Sequence, residues 1–481
     1  LNLIGLPDLM NQAPNLELSP AAMQRMGEAC LAAVIDHLMN LPQSPRSNID
    51  QAAELARSLR EATPQEGTSF DELLQFLVQR VIPHSINTAH PAYLGYIPGG
   101  GLFPSAIADF LAAATNRYVG VWFAAPSAAR LETNVLEWFA EFMGYPLDTT
   151  RGIMTSGGSL ANFSAVIAAR KHVLNENISR GTLYLSDQTH HCVMKAAMLA
   201  GIPERNIRVL KSDDYFRGVP EFFELAIKAD LKKGLQPFMI VGNAGTTNTG
   251  AIDPLHDLAD LSEKYSLWYH IDGAYGGFFN LCDEGKRKLR GLERSDSLVL
   301  DPHKGLFVPY GCGSLLVKDG ERLRRSHVLT ADYLQDQFTP EGETNFSEYS
   351  PELTRPFRGL QVWLPLKLFG VPAFRANLSE KLRLTEWMYE RFLAEPGFEC
   401  LSVPELSVIT FRYRPARGDC EAFNRRLLET IVKSGKLFLS STRLRGQFAI
   451  RVCILSFRTH QAEVEEAFEV VKWAKEEVEK D

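Results

Sequence analysis

Residues 298–313 read LVLDPHKGLFVPYGCG, an apolar run that delivers Asp301, His303 and Lys304 in close succession before a Gly-rich tail. A lysine drawn toward a dry site is pushed toward its neutral amine, the form that adds to carbonyl carbon. On its own, a lysine is nearly always solvated. A second segment, WYHIDGAYGG (268–277), ends on Asp272 and small residues. Such a carboxylate can bind a metal, face a cationic ring or cap the next turn, and capping is the commonest of the three. A third, TSGGSLANFSAVIAARKH (155–172), sets Gly157, Gly158 and Ser159 at the start of a helix on which Leu160, Phe163, Ile167 and Arg170 recur. Free amides at a helix N-terminus, approached closely because glycine has no side chain, suit a phosphate, although a plain Gly-Ser cap has the same spelling. In SDQTHHCVMKAA, His190 and His191 open a helix after Asp187, where histidine commonly does no more than cap.

The three segments say more together than singly. A phosphate cradle, a strand-end aspartate and a strand-end lysine, in that order along one α/β region, are what pyridoxal 5′-phosphate requires. The helix N-terminus takes the phosphate, Asp272 pairs with the pyridine nitrogen, and Lys304 holds the aldehyde as a Schiff base.

The elements that must position them alternate. GTLYLS (181–186), NIRVL (206–210), PFMIVGN (237–243), SLWYHID (266–272) and DSLVLD (296–301) read as strands. Between several of them lie helices such as VPEFFELAIKADLKKG, ended by Gly234, and DPLHDLADLSEKY, with Asp253 as its cap and Pro254 in its first turn. Strands separated by helices predict an α/β fold with a largely parallel sheet covered on both faces, whose ligands sit at the carboxyl ends of the strands. Residues 17–80 read as helices with little core of their own, opened by Ser19 as N-cap and Pro20, and are expected to pack on another body such as a second subunit. Residues 320–355 look irregular, and a polar stretch of that length suggests a functional lid. SVITFRYRP and QFAIRVCILSFRTH, followed by a final helix, suggest a small α+β domain. The expected division is an N-terminal helical segment at 1–80, a large cofactor domain at 81–370 and a small C-terminal domain at 371–481.

Composition narrows the classes. With 45% hydrophobic and 23% charged residues, a net charge of −7 and no long single-sign blocks, the chain reads as a soluble globular protein with no electrostatic case for nucleic acid or anionic lipid. No apolar run reaches the roughly 18 residues of a membrane span. The first residues, LNLIGLPDLMNQAP, lack the basic and apolar parts of a signal peptide. The seven cysteines are scattered and never spaced as CxxC, which argues for a reducing cytoplasm and against structural zinc, and no metal is expected. HExxH, GxSxG and the P-loop pattern are absent, and YGCGSLL lacks the third glycine of a dinucleotide fingerprint.

From HPAYLGYIPGG through PSAARLETNVLEWFAEFMGYP, TSGGSLANFSAVIAAR, YLSDQTHHCVMKAA, GTTNTGAIDP, YHIDGAYGG and DPHKG to RPFRGLQVWLPLKLFG, the chain resembles the group II pyridoxal-phosphate decarboxylases. These are the aromatic L-amino-acid, histidine and glutamate decarboxylases of the aspartate-aminotransferase fold type, fold type I of the pyridoxal-phosphate enzymes. The resemblance implies that Lys304 carries the cofactor, Asp272 meets its ring nitrogen, and His190 and Ala274 lie on opposite ring faces. It puts Thr246 near the phenolic oxygen and the substrate carboxylate, and Gly158, Ser159 and His303 on the phosphate. Asp301 stands where the family often has asparagine, and a carboxylate there repels phosphate unless it acts through its backbone. Tyr96, Ile97 and Pro98 match the substrate-pocket segment, which in the family lies at a homodimer interface.

The implied reaction is decarboxylation of an L-amino acid to an amine, aromatic substrates being favoured by the apolar wall at 96–98. In the family a tyrosine on a mobile loop commonly returns the proton to Cα. Counting back from LTRPFRGL aligns that position with Phe346, whose ring has no acidic proton. Tyr349 and Tyr333 are the alternatives. A phenylalanine there opens a second outcome, an aldehyde synthase that consumes oxygen and releases ammonia and peroxide. A catalytically silent cofactor-binding protein is a third reading, opposed by the joint presence of Lys304, Asp272 and His190. A carbon–sulfur or carbon–carbon lyase of the same fold is disfavoured by the HPAYLGYIP and RPFRGL segments.

Overall fold

The computed structural model describes residues 16–48, 52–328 and 338–480, in two compact units, 1–87 and 88–481. In the first unit, helix α1 (Pro20–Met39) starts as the sequence predicts, with Ser19 Oγ accepting from the Ala22 amide at 3.2 Å and Pro20 in the first turn. Helices α2 (Ala52–Ser58) and α3 (Phe70–Phe76) follow. None of the three buries a residue, and Leu41 is the buried apolar side chain among the described residues of this unit.

The second unit opens with α4 (Phe103–Thr115) and α5 (Pro126–Met143) and then builds a seven-stranded sheet. Its strands are β1 (Arg151–Thr155), β2 (Gly181–Ser186), β3 (Ile207–Leu210), β4 (Gln236–Asn243), β5 (Trp268–Asp272), β6 (Ser297–Leu300) and β7 (Gly313–Val317), in the order β1-β7-β6-β5-β4-β2-β3. The five strands foreseen in the sequence, β2 to β6, pair in parallel, while β7 runs antiparallel to both β6 and β1. The strands β1 and β7 were hidden by their glycine-rich surroundings: RGIMT runs into the glycine motif that opens α6 and GSLLV into the glycine-rich tail of the lysine segment.

Helix α6 (Gly158–Val173) lies across β4 to β7, and α7 (His191–Leu199) packs beside it. The buried residues of α6 beyond Gly158 are Ala161, Asn162, Ser164, Ala165, Val166, Ala168 and Ala169, mostly small, while Leu160, Phe163, Ile167 and Arg170, the periodic set in the sequence, are only half-buried. Small side chains let the helix axis come close to the sheet, so its larger residues sit at the flanks of the contact. Helices α8 (Pro220–Lys232) and α9 (Leu255–Tyr265) pack on β2 to β5. Asp253 does not cap α9 as the sequence suggested. Its carboxylate instead accepts from the Gly218 amide at 2.6 Å and from the Asn243 amide and Nδ2 at 2.8 and 2.7 Å, three buried donors that outcompete a solvent-side cap.

Short helices α10 (Asp283–Lys288) and α11 (Pro302–Gly305) flank β6. Residues 320–327, expected to be irregular, form α12 (Gly320–His327), capped by Asp319 and carrying the Glu321–Arg325 pair one turn apart. Helices α13 (Arg358–Phe369) and α14 (Val371–Ala394) lead to a second, antiparallel sheet in the order β10-β11-β9-β8, from β8 (Phe398–Cys400), β9 (Val408–Tyr413), β10 (Ser440–Leu444) and β11 (Gln447–Cys453). With α15 (Cys420–Lys433) and α16 (Gln461–Lys480) it encloses its own core, in which Phe392 stacks on Phe411 with centroids 4.2 Å apart.

One buried ion pair joins distant parts of the large core. Arg355 and Glu132, both with fully buried side chains, meet at 2.5 Å, and Arg355 also donates to the Met154 carbonyl of β1 at 3.0 Å. Arg355→Met strands the Glu132 carboxylate and is expected to cost about 3–5 kcal/mol. Adding Glu132→Gln removes the stranded charge and is expected to recover most of that loss. Urea unfolding of both variants checks this, and equal losses in the two would refute it.

Candidate active site

The strands deliver polar residues to one edge of the sheet. Asn243 and Asp272 end β4 and β5 and are paired in register, and Asp301 follows the last residue of β6. These three and the first turn of α6 line a cavity of about 270 Å³ that also receives His190, Cys192, Thr246, Ala274, His303 and Lys304.

Asp272 sits at the end of a directed chain of hydrogen bonds. Trp268 Nε1 donates to Ser297 Oγ at 2.8 Å, Ser297 Oγ and His270 Nδ1 are 2.8 Å apart, His270 Nε2 and Asn162 Oδ1 are 2.8 Å apart, and Asn162 Nδ2 donates to Asp272 Oδ2 at 3.2 Å. A carboxylate only accepts, so Asn162 turns its Nδ2 to Asp272 and its Oδ1 to His270, which puts a proton on His270 Nε2. Burial keeps that ring neutral at pH 7, which leaves Nδ1 as an acceptor for the Ser297 hydroxyl. The other carboxylate oxygen, Oδ1, accepts from the Ala274 amide at 3.1 Å. The result is a nearly buried anion, fixed in direction, at the floor of the cavity.

Lys304, on α11, reaches Asp301 Oδ2 at 2.9 Å. Burial alone disfavours its ammonium, but Asp301, with Asp272 beyond it, outweighs burial and leaves the Lys304 pKa above its ordinary value. This corrects the expectation of a neutral amine: the site is dry, yet the lysine brought its counter-ion along. His303 donates from Nδ1 to the Cys312 carbonyl at 2.6 Å, which leaves Nε2 as the lone-pair nitrogen, 3.6 Å from Asp301 Oδ2. Burial lowers its pKa, with Asp301 pulling the other way. Helix α6 opens on Gly157 with no side chain capping its first amides. A Cβ on Gly158 would lie 3.0 Å from Asp301 Oδ2 and 3.2 Å from the Ala274 methyl, so only glycine leaves this helix end open to a ligand without crowding those two groups.

His190 is the N-cap of α7: its Nδ1 accepts from the Cys192 amide at 3.3 Å, which puts the proton on Nε2. Burial lowers its pKa, and Asp272 works against that shift. Thr246 is held in the tight turn after β4, its amide donating to the Ala251 carbonyl at 2.8 Å and its hydroxyl 3.0 Å from that of Thr249. Gly158, Ser159, His190, Thr246, Asp272, Ala274, His303 and Lys304 are thus brought together as the sequence proposed.

Five described candidates do not line this cavity. Tyr96 is 58% exposed, with Ile97 half-buried and Pro98 buried beside it. Tyr96 has a left-handed φ of 49°, held by its amide donating to Ser440 Oγ and by Arg451 donating to its carbonyl, each at 3.0 Å. Phe346 is fully buried, with the Arg355 guanidinium 4.8 Å above its ring. Tyr349 packs half-buried against the large core, and Tyr333 lies outside the described residues.

The family model described as the pyridoxal-dependent decarboxylase conserved domain matches residues 53–414. The chain belongs to that family. It is 36% identical to an aromatic-L-amino-acid decarboxylase of Bacillus atrophaeus over 96% of this chain and 98% of that protein. It is 27% identical to a phenylacetaldehyde synthase of Arabidopsis thaliana over 94% of this chain and 95% of that one. Its fold matches Oryza sativa TDC, solved with PLP and tryptamine, at a TM-score of 0.92 and 26% identity, covering 96% of this chain and 99% of that one. The chain is thus a pyridoxal-phosphate-dependent carboxy-lyase of the fold that its sequence suggested. The cavity fits the cofactor of the decarboxylase family on its own terms: a lysine, an oriented buried anion and a glycine-opened helix end face one space. No cluster of metal-ligating side chains is found among the described residues.

What sequence reasoning missed is the support beneath Asp272. Asn162 and His270 lie inside the quoted TSGGSLANFSAVIAAR and YHIDGAYGG segments without having been singled out, and Ser297 carried no signal of its own. Asn162 left one trace, an amide on the innermost face of an alanine-rich helix, where asparagine is a poor helix former and must be bonded to something.

Burial holds His270 down to about 4, with Asp272 acting in the opposite direction, against an ordinary value of 6.5. Between those values the unfolded chain binds more protons than the folded one, so this stabilisation is complete above pH 6.5 and drains away as pH falls toward 4. Its full extent is about 3 kcal/mol. His270→Phe is expected to lose that portion of the pH dependence, and to cost about 1–3 kcal/mol at neutral pH by stranding Asn162 Oδ1 and Ser297. Urea unfolding at pH 7.5 and pH 5 compares the two proteins, and parallel losses would contradict the assignment.

Proposed function

We propose that this protein removes the α-carboxylate of an aromatic L-amino acid, giving the amine and carbon dioxide. The observation that carries the reading is the meeting of Lys304, the oriented Asp272 anion and the open N-terminus of α6 in one cavity. The aromatic preference draws on the 36% identity to the Bacillus atrophaeus enzyme.

In this reading Lys304 holds the cofactor by its aldehyde and releases it to the substrate amine. Asp272 keeps the ring nitrogen protonated, and the chain from Trp268 prevents the carboxylate from turning away. His190 and Ala274 flank the ring, Gly158, Ser159 and His303 receive the phosphate, and Thr246 serves the phenolic oxygen and substrate carboxylate. When bound, pyridoxal phosphate supplies an electron sink for the pair left on Cα as carbon dioxide departs.

The return of a proton to Cα needs an acidic group. Phe346 has none and lies beneath Arg355, so the proton must come from another residue. The role passes to Tyr333, one of the alternatives in the sequence. The aldehyde-synthase reading keeps only the likeness to the Arabidopsis thaliana protein and ranks second.

The wider arrangement belongs to the same proposal. Two sheets with separate cores support a large cofactor domain at 81–370 and a small domain at 371–481. An N-terminal segment at 1–80 whose described residues bury little beyond Leu41, and an exposed Tyr96 ahead of Ile97 and Pro98, support a homodimer with the substrate segment at its interface. Among the described residues no helix is long and apolar enough to cross a membrane. Together with seven unpaired cysteines, this supports the cytoplasm as its compartment.

Two variants test the reading. Lys304→Ala is expected to lose the visible absorbance of the lysine-bound cofactor and all amine production, and a band that survives dialysis would overturn the assignment. Tyr333→Phe is expected to divert product from amine to aldehyde with matching peroxide. Amine yield unchanged from wild type, with no peroxide, would remove Tyr333 from the proton path.

A further inference from the structure

Three glycines, Gly99, Gly100 and Gly101, follow Ile97 and Pro98 directly, and decarboxylation by itself gives them no task. They cross the backbone that carries Lys304. A Cβ on Gly100 would overlap the Phe307 carbonyl and Cα, so two main chains meet there with no room for a side chain. The Leu102 amide donates to that same carbonyl at 3.0 Å, and the Phe307 amide donates to the Lys304 carbonyl at 3.4 Å. Two backbone hydrogen bonds thus connect the end of the glycine run to the residue that would hold the cofactor. Phe307 itself has a left-handed φ of 60°, an uncommon state for an aromatic residue. Its buried ring is kept in place by Phe374 and Phe457, with centroids 6.2 and 6.1 Å away.

Arg458, between β11 and α16, closes this crossing from the other side. Its Nη1 and Nη2 donate to the successive carbonyls of Gly100 and Gly101 at 2.9 and 3.2 Å, and its Cζ lies 4.3 Å from the centroid of the Phe457 ring. A guanidinium can serve two neighbouring oxygens at once because its donors form a planar fork. Burial disfavours the Arg458 charge, and among the described residues no acid acts in the opposite sense. A half-buried cation without a counter-ion is retained where its hydrogen bonds have work to do. The near end of the segment is tied as well: Ser440 and Arg451 hold Tyr96, and the Gly99 amide donates to Tyr310 Oη at 3.3 Å. Ile97 and Pro98 therefore lie between two fixed points.

We infer that Arg458 is a positioning residue for substrate binding: by clamping Gly100 and Gly101 against Phe307, it sets how far the wall of Ile97 and Pro98 stands from Lys304 before any substrate arrives. This rests on Lys304 and residues 96–98 serving cofactor and substrate as proposed above. Arg458 does not line the cavity, so it acts only through the segment that it holds. Ser440 and Arg451 cannot replace it, because they hold Tyr96 on the far side of Pro98. Its loss changes how well an aromatic amino acid is held and leaves the chemistry of the bound molecule alone. A clamp that served stability alone would leave KM where it is.

Steady-state kinetics on the cofactor-loaded protein test this, with whichever of L-tyrosine, L-tryptophan and L-phenylalanine is turned over fastest. Arg458→Met keeps an apolar stem over Phe457 and removes both donors. KM is expected to rise roughly tenfold, the worth of one charge-assisted hydrogen bond, with kcat within about twofold and the visible cofactor absorbance unchanged. An unchanged KM overturns the proposal, and so does a rise in KM matched by loss of kcat or of the cofactor band, which marks general damage. Hydrogen exchange in wild type gives a second answer that needs no variant. Without substrate, the bonded amides of Leu94, Tyr96, Gly99 and Leu102 are expected to exchange at least roughly a hundredfold more slowly than in an unstructured peptide, and weaker protection overturns a preformed clamp. If wild type turns over none of the three amino acids, the aromatic reading has failed, and the exchange result still decides whether the clamp exists.

Discussion

The site depends on keeping one carboxylate ionised and immobile where water is scarce. Asp272 is 8% exposed, so a charge there must find its hydrogen bonds in the protein rather than in water. Two donors supply them, the Ala274 amide and Asn162 Nδ2. Asn162 can donate only because its own oxygen is engaged by His270, whose other nitrogen is engaged by Ser297, which is in turn engaged by Trp268. Each bond polarises the next, and no member can reverse without leaving a buried group unpaired. A positive ring nitrogen placed against this end would meet a charge that does not rotate.

That requirement explains the packing of α6. Asn162 must reach the end of β5 from above, and it does so because the face it shares with Ala161, Ala165, Ala168 and Ala169 lets the helix settle low on the sheet. The same settling brings the helix N-terminus level with the carboxyl ends of β5 and β6. Bulky residues on that face would lift both the amide and the helix end away from the cavity. Parallel pairing of β4, β5 and β6 does the complementary part, since it puts Asn243, Asp272 and Asp301 at one edge. The antiparallel β7 then returns beside β6, so Gly313 can press against Gly157 and Asp301 where a side chain would not fit.

These constraints set what the sequence disclosed. The five parallel strands were legible because alternating strands and helices leave a period that survives without coordinates. Lys304, Asp272 and the Gly158–Ser159 turn were legible because their chemistry is uncommon at strand and helix ends. The relay was not, since Trp268, Ser297, His270 and Asn162 are spread over three elements and acquire meaning only through contact. Phe346 rests on a different kind of signal. It was placed by counting from RPFRGL, and Arg355 of that same segment turns out to cover its ring. An offset along an irregular stretch carries no information about direction, whereas an offset along a strand or helix does.

The ionisable groups near the cavity form an unusual balance. Two carboxylates, Asp272 and Asp301, face one ammonium, and both histidines are held toward neutrality by burial. Asp272 is satisfied by hydrogen bonds, which leaves Lys304 free to serve Asp301. The two aspartates are therefore not interchangeable. One has its charge fixed by neutral donors that nothing entering the cavity needs to displace. The other is held by the Lys304 ammonium. A site made this way keeps one carboxylate on neutral donors and the other on a cation, and the difference follows from the partners that each strand end received.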